Sequence, residues 1–139
     1  NRQIPSRTNG DIVTHHLVSQ KFRILILQPQ SEIGAFRHYL LEHGYRITAE
    51  DMVFEEGKYY PMMKVLHGEQ SYGDETEYLF GRGLLDSRNP VLEQFLLKEQ
   101  SSVEKIMGHL KKTDTKAGRE RLSELEQELC YIKKALARF

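Results

Sequence analysis

The first half of the chain has apolar runs of strand length, with one helical pattern between them. Residues 24–27 are continuously apolar, and Gln28 and Pro29 close the run. A short apolar run stopped by proline indicates a strand buried on both faces, as inside a parallel sheet. Ser31 then offers a helix N-cap, and Gly44 stands where that helix should end. We therefore predict a strand over residues 24–27 and a helix between Ser31 and Gly44.

Two extended segments follow this helix. They cover residues 45–55 and 58–66, with Glu56 and Gly57 between them. Glycine adopts the positive φ of a tight hairpin turn without steric cost, so the two segments are predicted to pair. The order strand–helix–strand–turn–strand is typical of the far edge of a doubly wound α/β sheet, whose last strand is antiparallel. We predict a partial α/β domain over residues 22–88, after a flexible lead or remnant strand over residues 1–21.

The last third of the chain has the clearest helical periodicity. Asn89 is placed to cap a helix that Pro90 begins. Apolar residues recur there at intervals of three and four, and they are Leu92, Leu96, Val103, Ile106 and Leu110, followed by Leu122, Leu125, Leu129, Ile132, Leu136 and Phe139. Glu99 occupies one position of the first apolar seam. Residues 89–139 are therefore predicted to form an antiparallel helical hairpin packed like a coiled coil.

Composition narrows the class of protein. A chain of 139 residues is long enough for one domain, or for a small domain with an appendage. The 20 basic and 20 acidic side chains cancel, so net charge does not indicate a nucleic-acid partner. The single cysteine, Cys130, excludes an intramolecular disulfide and fits a reducing cytoplasm. No apolar run approaches the roughly 20 residues of a membrane span, so we expect no membrane partner.

Several polar residues are candidates for chemistry, but their surroundings favour structural roles. His15 and His16 are adjacent on a possible strand and point to opposite faces, so we expect no metal site there. An acidic group beside the hairpin turn is expected to be solvated, and its members are Glu50, Asp51, Glu55 and Glu56. Tyr59 and Tyr60 also point to opposite faces, and only the one at the surface is available to stack on a base.

Basic residues cluster between the two predicted helices. They are Lys111, Lys112, Lys116, Arg119 and Arg121, with Asp114 and Glu120 among them. A solvated helical loop explains such a charge run, and so does a surface that contacts RNA phosphates. The residue pattern alone leaves both interpretations open.

Three segments together resemble a known family. They are RILILQPQ, a helix that ends in LLEHGYRI, and AEDMVFEEGKYYPMMKV. In this combination they are similar to the second half of the bacterial tRNA adenine-22 N1-methyltransferases. The similarity extends through GRGLLDSRNPVLEQFL and the C-terminal helices, over about residues 22–139. The resemblance implies a Rossmann-like methyltransferase fold, S-adenosylmethionine as methyl donor, N1 of adenine in tRNA as target, and a cytoplasmic location.

The resemblance also implies candidate residues for contact with the target adenine and with the tRNA backbone. Gln28, Pro29 and Gln30 follow the predicted buried strand, at the edge where ligands bind in doubly wound sheets. They are the candidates for contact with the target adenine, because an amide side chain matches its donor and acceptor edge. The family has asparagine where Gln30 stands. The basic cluster within residues 111–121 becomes the candidate tRNA-docking site, and no catalytic residue is assigned.

Two cofactor-binding motifs of this family are not found in the sequence. One is an acidic-glycine motif after the first strand, and the other is an alanine-glycine-methionine-glycine-glycine turn. We therefore expect this chain alone neither to bind S-adenosylmethionine nor to methylate. The chain is a fragment of a larger enzyme, which we favour, or a short relative that pairs with another chain, or a protein that dimerises through an open sheet edge. The alternative function is a non-catalytic RNA-binding or oligomerisation module whose helical hairpin drives self-association.

Overall fold

The computed structural model describes residues 21–25 and 30–139, and three strands of that part form one sheet. They are β1 (Lys21–Leu25), β2 (Tyr45–Glu55) and β3 (Lys58–His67), in the order β1-β3-β2. β3 is antiparallel to both neighbours, so β1 and β2 run in the same direction. The predicted antiparallel last strand is confirmed. However, β3 is the central strand of the three, between β1 and β2, so β2 and not β3 is at the edge away from β1.

The structure describes the first two residues of the strand predicted over residues 24–27, and both belong to β1. Ile24 and Leu25 pair with Met63 and Met62 of β3. Residues 26–29, which include the rest of that run, lie outside the described residues, and so does most of the predicted lead.

A helix, α1 (Gln30–Glu42), connects β1 to β2. It begins one residue before Ser31, so the predicted N-cap lies inside the helix. It ends as predicted, because Gly44 has a φ of 82°, which glycine adopts at little cost. Its apolar side packs on one face of the sheet, in a core formed by Ile33, Phe36, Leu40, Ile47, Met63 and Val65.

The β2–β3 hairpin turns at Glu56 and Gly57, whose φ values are 52° and 79°. Two successive positive φ values match the twist of the flanking strands, as the predicted tight turn requires. A β-bulge between Ile47 and Ala49 shifts the register of β2. As a result, Ile47 and Met52 are both buried on the same covered face, although their sequence separation is odd.

Two short helices lead from the sheet into two long ones. They are α2 (Glu75–Phe80), α3 (Arg82–Asp86), α4 (Pro90–Lys111) and α5 (Lys116–Leu136). Asn89 caps α4 as predicted, and its side chain accepts hydrogen bonds from the backbone N–H groups of Val91 and Leu92. In the part of the chain that the structure describes, no helix has the length and apolar content needed to cross a bilayer.

The two long helices pack against each other and share one core with the rest of the molecule. The buried members of this core are Met52, Phe80, Leu84, Leu85, Leu92, Leu96, Val103, Met107, Leu125, Ile132 and Ala135. Because Met52 belongs to β2 and the next three belong to α2 and α3, the helical hairpin is anchored on the sheet.

One predicted position of the hairpin seam is wrong. Ile106 is 45% exposed, and Met107 is buried instead. A straight α-helix drifts relative to a seven-residue repeat, so a strict three-four spacing leaves the buried side after a few turns. Glu99 is half-buried at the seam as predicted, and burial together with Glu128 raises its pKa. The hairpin is thus a pair of packed helices that departs from a regular heptad at Ile106.

Candidate functional site

The carboxyl ends of β1 and β2 reach the same edge of the sheet, because the two strands are parallel. This carboxyl edge includes the start of α1 and the β2–β3 turn. Ligands of doubly wound sheets bind at such an edge. Gln30, one of the three predicted adenine-contacting residues, is the first residue of α1. Gln28 and Pro29 lie outside the described residues, so their contact with adenine stays a prediction.

An aromatic platform of Phe54, Tyr59 and Phe95 lies beside the β2–β3 turn. The Tyr59 ring centroid is 4.6 Å from that of Phe54 and 5.3 Å from that of Phe95. The Nζ atom of Lys98 lies 5.7 Å from the Tyr59 centroid. Tyr59 packs against the main core, and Tyr60 follows it on the other face of the strand. The most exposed ring of the platform is therefore Phe54, at 45%, which sequence reasoning missed.

The predicted basic cluster forms the tip of the α4–α5 hairpin, and all five of its members are exposed. Two of the five are engaged with carboxylates. Arg119 Nη1 lies 2.5 Å from Asp114 Oδ1, and Arg121 Nη1 lies 3.0 Å from Glu124 Oε1. Among the described residues, the other three members form no salt bridge, and they are Lys111, Lys112 and Lys116. The three lysines are thus the cations of the tip that remain available to an anion.

Thr115 fixes the start of α5 at this tip. Its Oγ1 accepts a hydrogen bond from the backbone N–H of Gly118 at 2.9 Å. A Cβ at Gly118 would lie 2.9 Å from that same oxygen, so glycine permits the tight cap. Lys116 follows the cap directly and is presented at the first turn of α5.

A buried ion pair joins α1 to β2, and it corrects the expectation that Glu50 is solvated. Arg37 Nη2 donates to Glu50 Oε1 at 2.8 Å, and the two side chains are 0% and 1% exposed. Arg37 Nη1 also donates to the backbone carbonyls of Tyr78 and Leu79, at 2.7 and 3.0 Å. The β-bulge turns Glu50 toward the covered face of the sheet, which is why a carboxylate on this strand is buried. The other three acids of the group are exposed, as predicted: Asp51, Glu55 and Glu56.

Aromatic rings and a second arginine surround this ion pair. The guanidinium of Arg82 lies 4.8 Å from the Tyr72 ring centroid, and the Tyr72 and Tyr78 centroids are 5.0 Å apart. Burial and the nearby Glu50 carboxylate raise the pKa of Tyr72 well above its usual value. His38 stacks on Tyr78 at 3.6 Å. These groups stabilise the junction of α1, β2 and α2, where Glu50 Oε2 is buried and has no hydrogen-bond partner among the described residues.

Among the described residues, no group of three or more His, Cys, Asp and Glu side chains is arranged so that it could hold a metal ion. His38 Nε2, for example, lies 2.9 Å from Glu75 Oε1 and is engaged in that pair. Cys130 is exposed and unpaired.

Comparison with known families decides the assignment of the chain. Residues 10–134 match the family described as tRNA (adenine(22)-N(1))-methyltransferase, TrmK. The chain belongs to this family. The match covers most of the sequence, including the strand–helix–strand unit and both long helices. The chain matches no protein among those with curated descriptions.

Solved structures of TrmK proteins have the same fold. Sp1610 of Streptococcus pneumoniae, a putative tRNA (m1A22) methyltransferase, superposes with a TM-score of 0.73 at 24% identity, covering 90% of this chain and 55% of that one. TrmK of B. subtilis gives a TM-score of 0.72 at 16% identity, covering 94% and 60%. TrmK of M. capricolum, solved with S-adenosyl-homocysteine, gives 0.74 at 18% identity, covering 94% and 57%.

These similarities establish that the chain shares its α/β fold with these solved structures. A further match, described as a protein in the NADB-Rossmann superfamily from Streptococcus agalactiae, has a TM-score of 0.68 at 23% identity. The chain spans between 53% and 60% of the length of these relatives.

Proposed function

We propose that this chain is the tRNA-facing part of an S-adenosylmethionine-dependent methyltransferase that modifies N1 of adenine in tRNA. The observation that carries the proposal is the family match over residues 10–134. Sp1610 has also been solved in complex with S-adenosyl-L-methionine, which supports that methyl donor for the intact enzyme. A cytoplasmic location follows from the proposed substrate.

We further propose that the residues of this chain do not hold the cofactor by themselves. A methyltransferase of this type holds its cofactor on a glycine turn after a parallel strand. The positive-φ glycines of the described part lie elsewhere: Gly44 before β2, Gly57 in the hairpin, Gly68 after β3 and Gly81 between α2 and α3. We therefore propose that S-adenosylmethionine is held outside this chain's residues and that the chain alone does not methylate.

The roles that we propose for residues 22–88 and 89–139 follow from the chemistry of the reaction. A ring nitrogen attacks a methyl sulfonium directly, so the protein must position the base more than supply a nucleophile. Residues 22–88 would provide the carboxyl edge, where Gln28, Pro29 and Gln30 contact the target adenine. Residues 89–139 would form a coiled-coil-like arm whose tip contacts tRNA phosphates, through Lys111, Lys112, Lys116, Arg119 and Arg121.

A second candidate function is a non-catalytic RNA-binding or oligomerisation module. One observation favours it: within the described strands, β1 pairs only with β3, so its other edge has no partner. An unpaired edge is a template for strand addition. In that case self-association would be lost when the β1 edge is blocked, and RNA binding would not require an adenine target.

Binding experiments separate these functions. We expect the chain to bind unmodified tRNA in a salt-dependent way and to give no heat with S-adenosylmethionine in calorimetry. The double variant Lys112→Gln/Lys116→Gln should reduce the salt slope of tRNA binding by about 1.4 to 1.8, because up to two phosphate contacts are lost. The matched double variant Lys133→Gln/Lys134→Gln removes the same charge from α5 and should leave the slope unchanged.

The full reading frame provides the test of activity. We expect methylation of unmodified tRNA at adenine 22 by the protein expressed from that frame, detected by nuclease digestion and mass spectrometry. Cofactor binding by the present chain alone would contradict the proposal that the cofactor is held outside this chain. A full-length protein that binds tRNA but never methylates it would favour the second function.

A further inference from the structure

The aromatic platform lies at the edge of the sheet where the proposed reaction takes place. β1 and β2 end on this edge, and Phe54 is the residue before the last of β2. A ring that is 45% exposed contributes little to the core, yet here Tyr59 supports it from the protein side. Phe95 of α4 supports Tyr59 in turn. The result is a rigid aromatic surface with one ring open to solvent.

Positive charge is present beside the platform on the side of α4. Lys98 lies against Tyr59, and Lys105 and Lys112 follow it at i+7 and i+14. Seven residues are close to two helical turns, so the three lysines share one face of the helix at intervals of about 10.5 Å. All three are exposed. The acids of α4, Glu93, Glu99 and Glu104, fall outside this face because they are about 100° or more away around the helix.

Negative charge limits the other side. Glu55, the last residue of β2, and Glu56 of the hairpin turn are both exposed next to Phe54, and with Lys58 opposite Glu55 they leave a net negative charge there. A phosphate would be repelled there and attracted toward Lys98. The aromatic platform therefore lies at one end of a row of lysines on α4, which consists of Lys98, Lys105 and Lys112.

We propose that Phe54 is a stacking site for an unpaired nucleobase of the RNA substrate, and that the adjoining phosphate backbone follows Lys98 and Lys105 toward the hairpin tip. Base–aromatic stacking next to a basic track is the physical pattern of single-stranded RNA binding. The inference rests on the proposed function, since it concerns how the same tRNA is held. It adds a base contact to the phosphate contacts of the tip.

Substitution of the exposed ring tests the stacking step. Phe54→Ala should weaken binding of a short single-stranded RNA by about 5- to 150-fold, the loss expected for one stacked base. Phe54→Trp should retain binding, because the indole keeps a stacking face. Leu97→Ala is the matched control, since Leu97 is 52% exposed on α4 and belongs to no part of the platform. Circular dichroism of each variant checks that the fold is kept.

A spectroscopic readout distinguishes stacking from a general loss of affinity. RNA that contains 2-aminopurine should lose fluorescence on binding to the native chain and to Phe54→Trp. At saturating concentrations of Phe54→Ala the quenching should be absent. A duplex RNA of the same sequence offers no unpaired base, so its affinity should not respond to Phe54.

A separate double variant tests whether Lys98 and Lys105 contact the RNA backbone. Lys98→Gln/Lys105→Gln should lower the salt slope of RNA binding by about 1.4 to 1.8. Lys133→Gln/Lys134→Gln again serves as the equal-charge control. Lys112 belongs to both the row and the hairpin tip, whereas Lys98 and Lys105 are not part of the tip, so this double variant tests the α4 part of the row alone.

The outcomes separate this inference from the proposed function. Binding of tRNA that is lost in the tip variant but unchanged in Phe54→Ala and Lys98→Gln/Lys105→Gln would overturn the stacking inference and leave the proposed function standing. Absence of any RNA binding would overturn both. Self-association that depends on Phe54, seen by sedimentation without an effect on RNA affinity, would show that the platform binds protein and would also overturn the inference.

Discussion

Two clusters of aromatic rings and cations lie against the same sheet, and their chemistry diverges. In the closed cluster, Arg37 is fully buried, paired with Glu50 and bonded to two backbone carbonyls, with Tyr72 beside them. In the aromatic platform, Phe54 is 45% exposed and Lys98 forms no salt bridge with a described carboxylate. The same residue classes thus serve folding in one place and remain available to a ligand in the other. What differs is whether the cation, Arg37 or Lys98, already has a carboxylate partner among the described residues.

The largest expected effect comes from breaking the closed cluster. Arg37→Met removes the cation and leaves the Glu50 carboxylate buried without compensation, which should lower the free energy of unfolding by about 3 to 5 kcal/mol. Urea denaturation measures the change. The control is Arg121→Met, which breaks an exposed ion pair and should lower the free energy of unfolding by less than about 1 kcal/mol. Equal effects of the two substitutions would show that burial of the Arg37–Glu50 pair has no energetic consequence.

A smaller effect is expected where the backbone closes over this pair. Gly81 has a φ of 94°, and a Cβ there would lie 2.6 Å from Glu50 Oε1 and 2.9 Å from Arg37 Nη2. Gly81→Ala should therefore destabilise the protein by about 1 to 3 kcal/mol, from backbone strain and the clash. Gly57→Ala is the control, since Gly57 also has a positive φ but meets no atom within 4 Å. If Gly57→Ala costs as much in thermal denaturation, the tight approach at Gly81 contributes nothing beyond its φ.

In the aromatic platform, a substitution should reduce RNA affinity more than it reduces stability, whereas the substitutions in the closed cluster act on stability. Phe54→Ala removes a ring that is already half in solvent, so stability should fall by no more than about 1 to 2 kcal/mol. Affinity for RNA should fall as described above. The measurement is a pair of titrations on one variant, denaturant for stability and RNA for binding. A variant that loses several kcal/mol of stability would place Phe54 with the core rather than with a binding surface.

The smallest effect concerns proton binding in the closed cluster. Burial raises the folded-state pKa of Tyr72 above the unfolded value near 10. The folded state then holds the phenolic proton longer, so this stability is present below the unfolded pKa and is lost as pH rises toward the folded pKa. In an ultraviolet titration, Tyr72→Phe should remove the last tyrosine to ionise. Its unfolding free energy should also fall less above pH 10 than that of the native chain. If Tyr72→Phe instead removes an early-ionising tyrosine, the phenol is solvated.

Much of the fold could be predicted from local patterns. Glu56 and Gly57 indicated the hairpin because a tight turn with positive φ requires such residues. Asn89 and Pro90 indicated the start of α4 because the cap needs only neighbours in the chain. The candidate site was harder to predict. The lysines of the tip were visible as a charge run, but the charge run alone did not show which of its cations pair with nearby carboxylates, as Arg119 does with Asp114 and Arg121 with Glu124.

The errors have tertiary causes. Glu50 was expected to be solvated because it was grouped with the acids beside an exposed hairpin turn, yet a one-residue bulge turned it toward Arg37. Ile106 was assigned to the seam and Met107 took its place, because small angular drift in a helix accumulates over several turns. Phe54 could not be ranked above Tyr59 until α4 was seen to cover one ring and leave the other.

The sequence by itself determined the β2–β3 turn, the end of α1, the start of α4 and which family the chain resembles, since these depend on short-range sterics and on motifs read in order. The tertiary structure decided the order of the strands, the burial of Arg37 and Glu50, and the meeting of β2, β3 and α4 at one edge. Such features join residues far apart in the chain, and their energies depend on which partners desolvate each group. The order of residues along the chain does not show which of them will become partners in the folded protein.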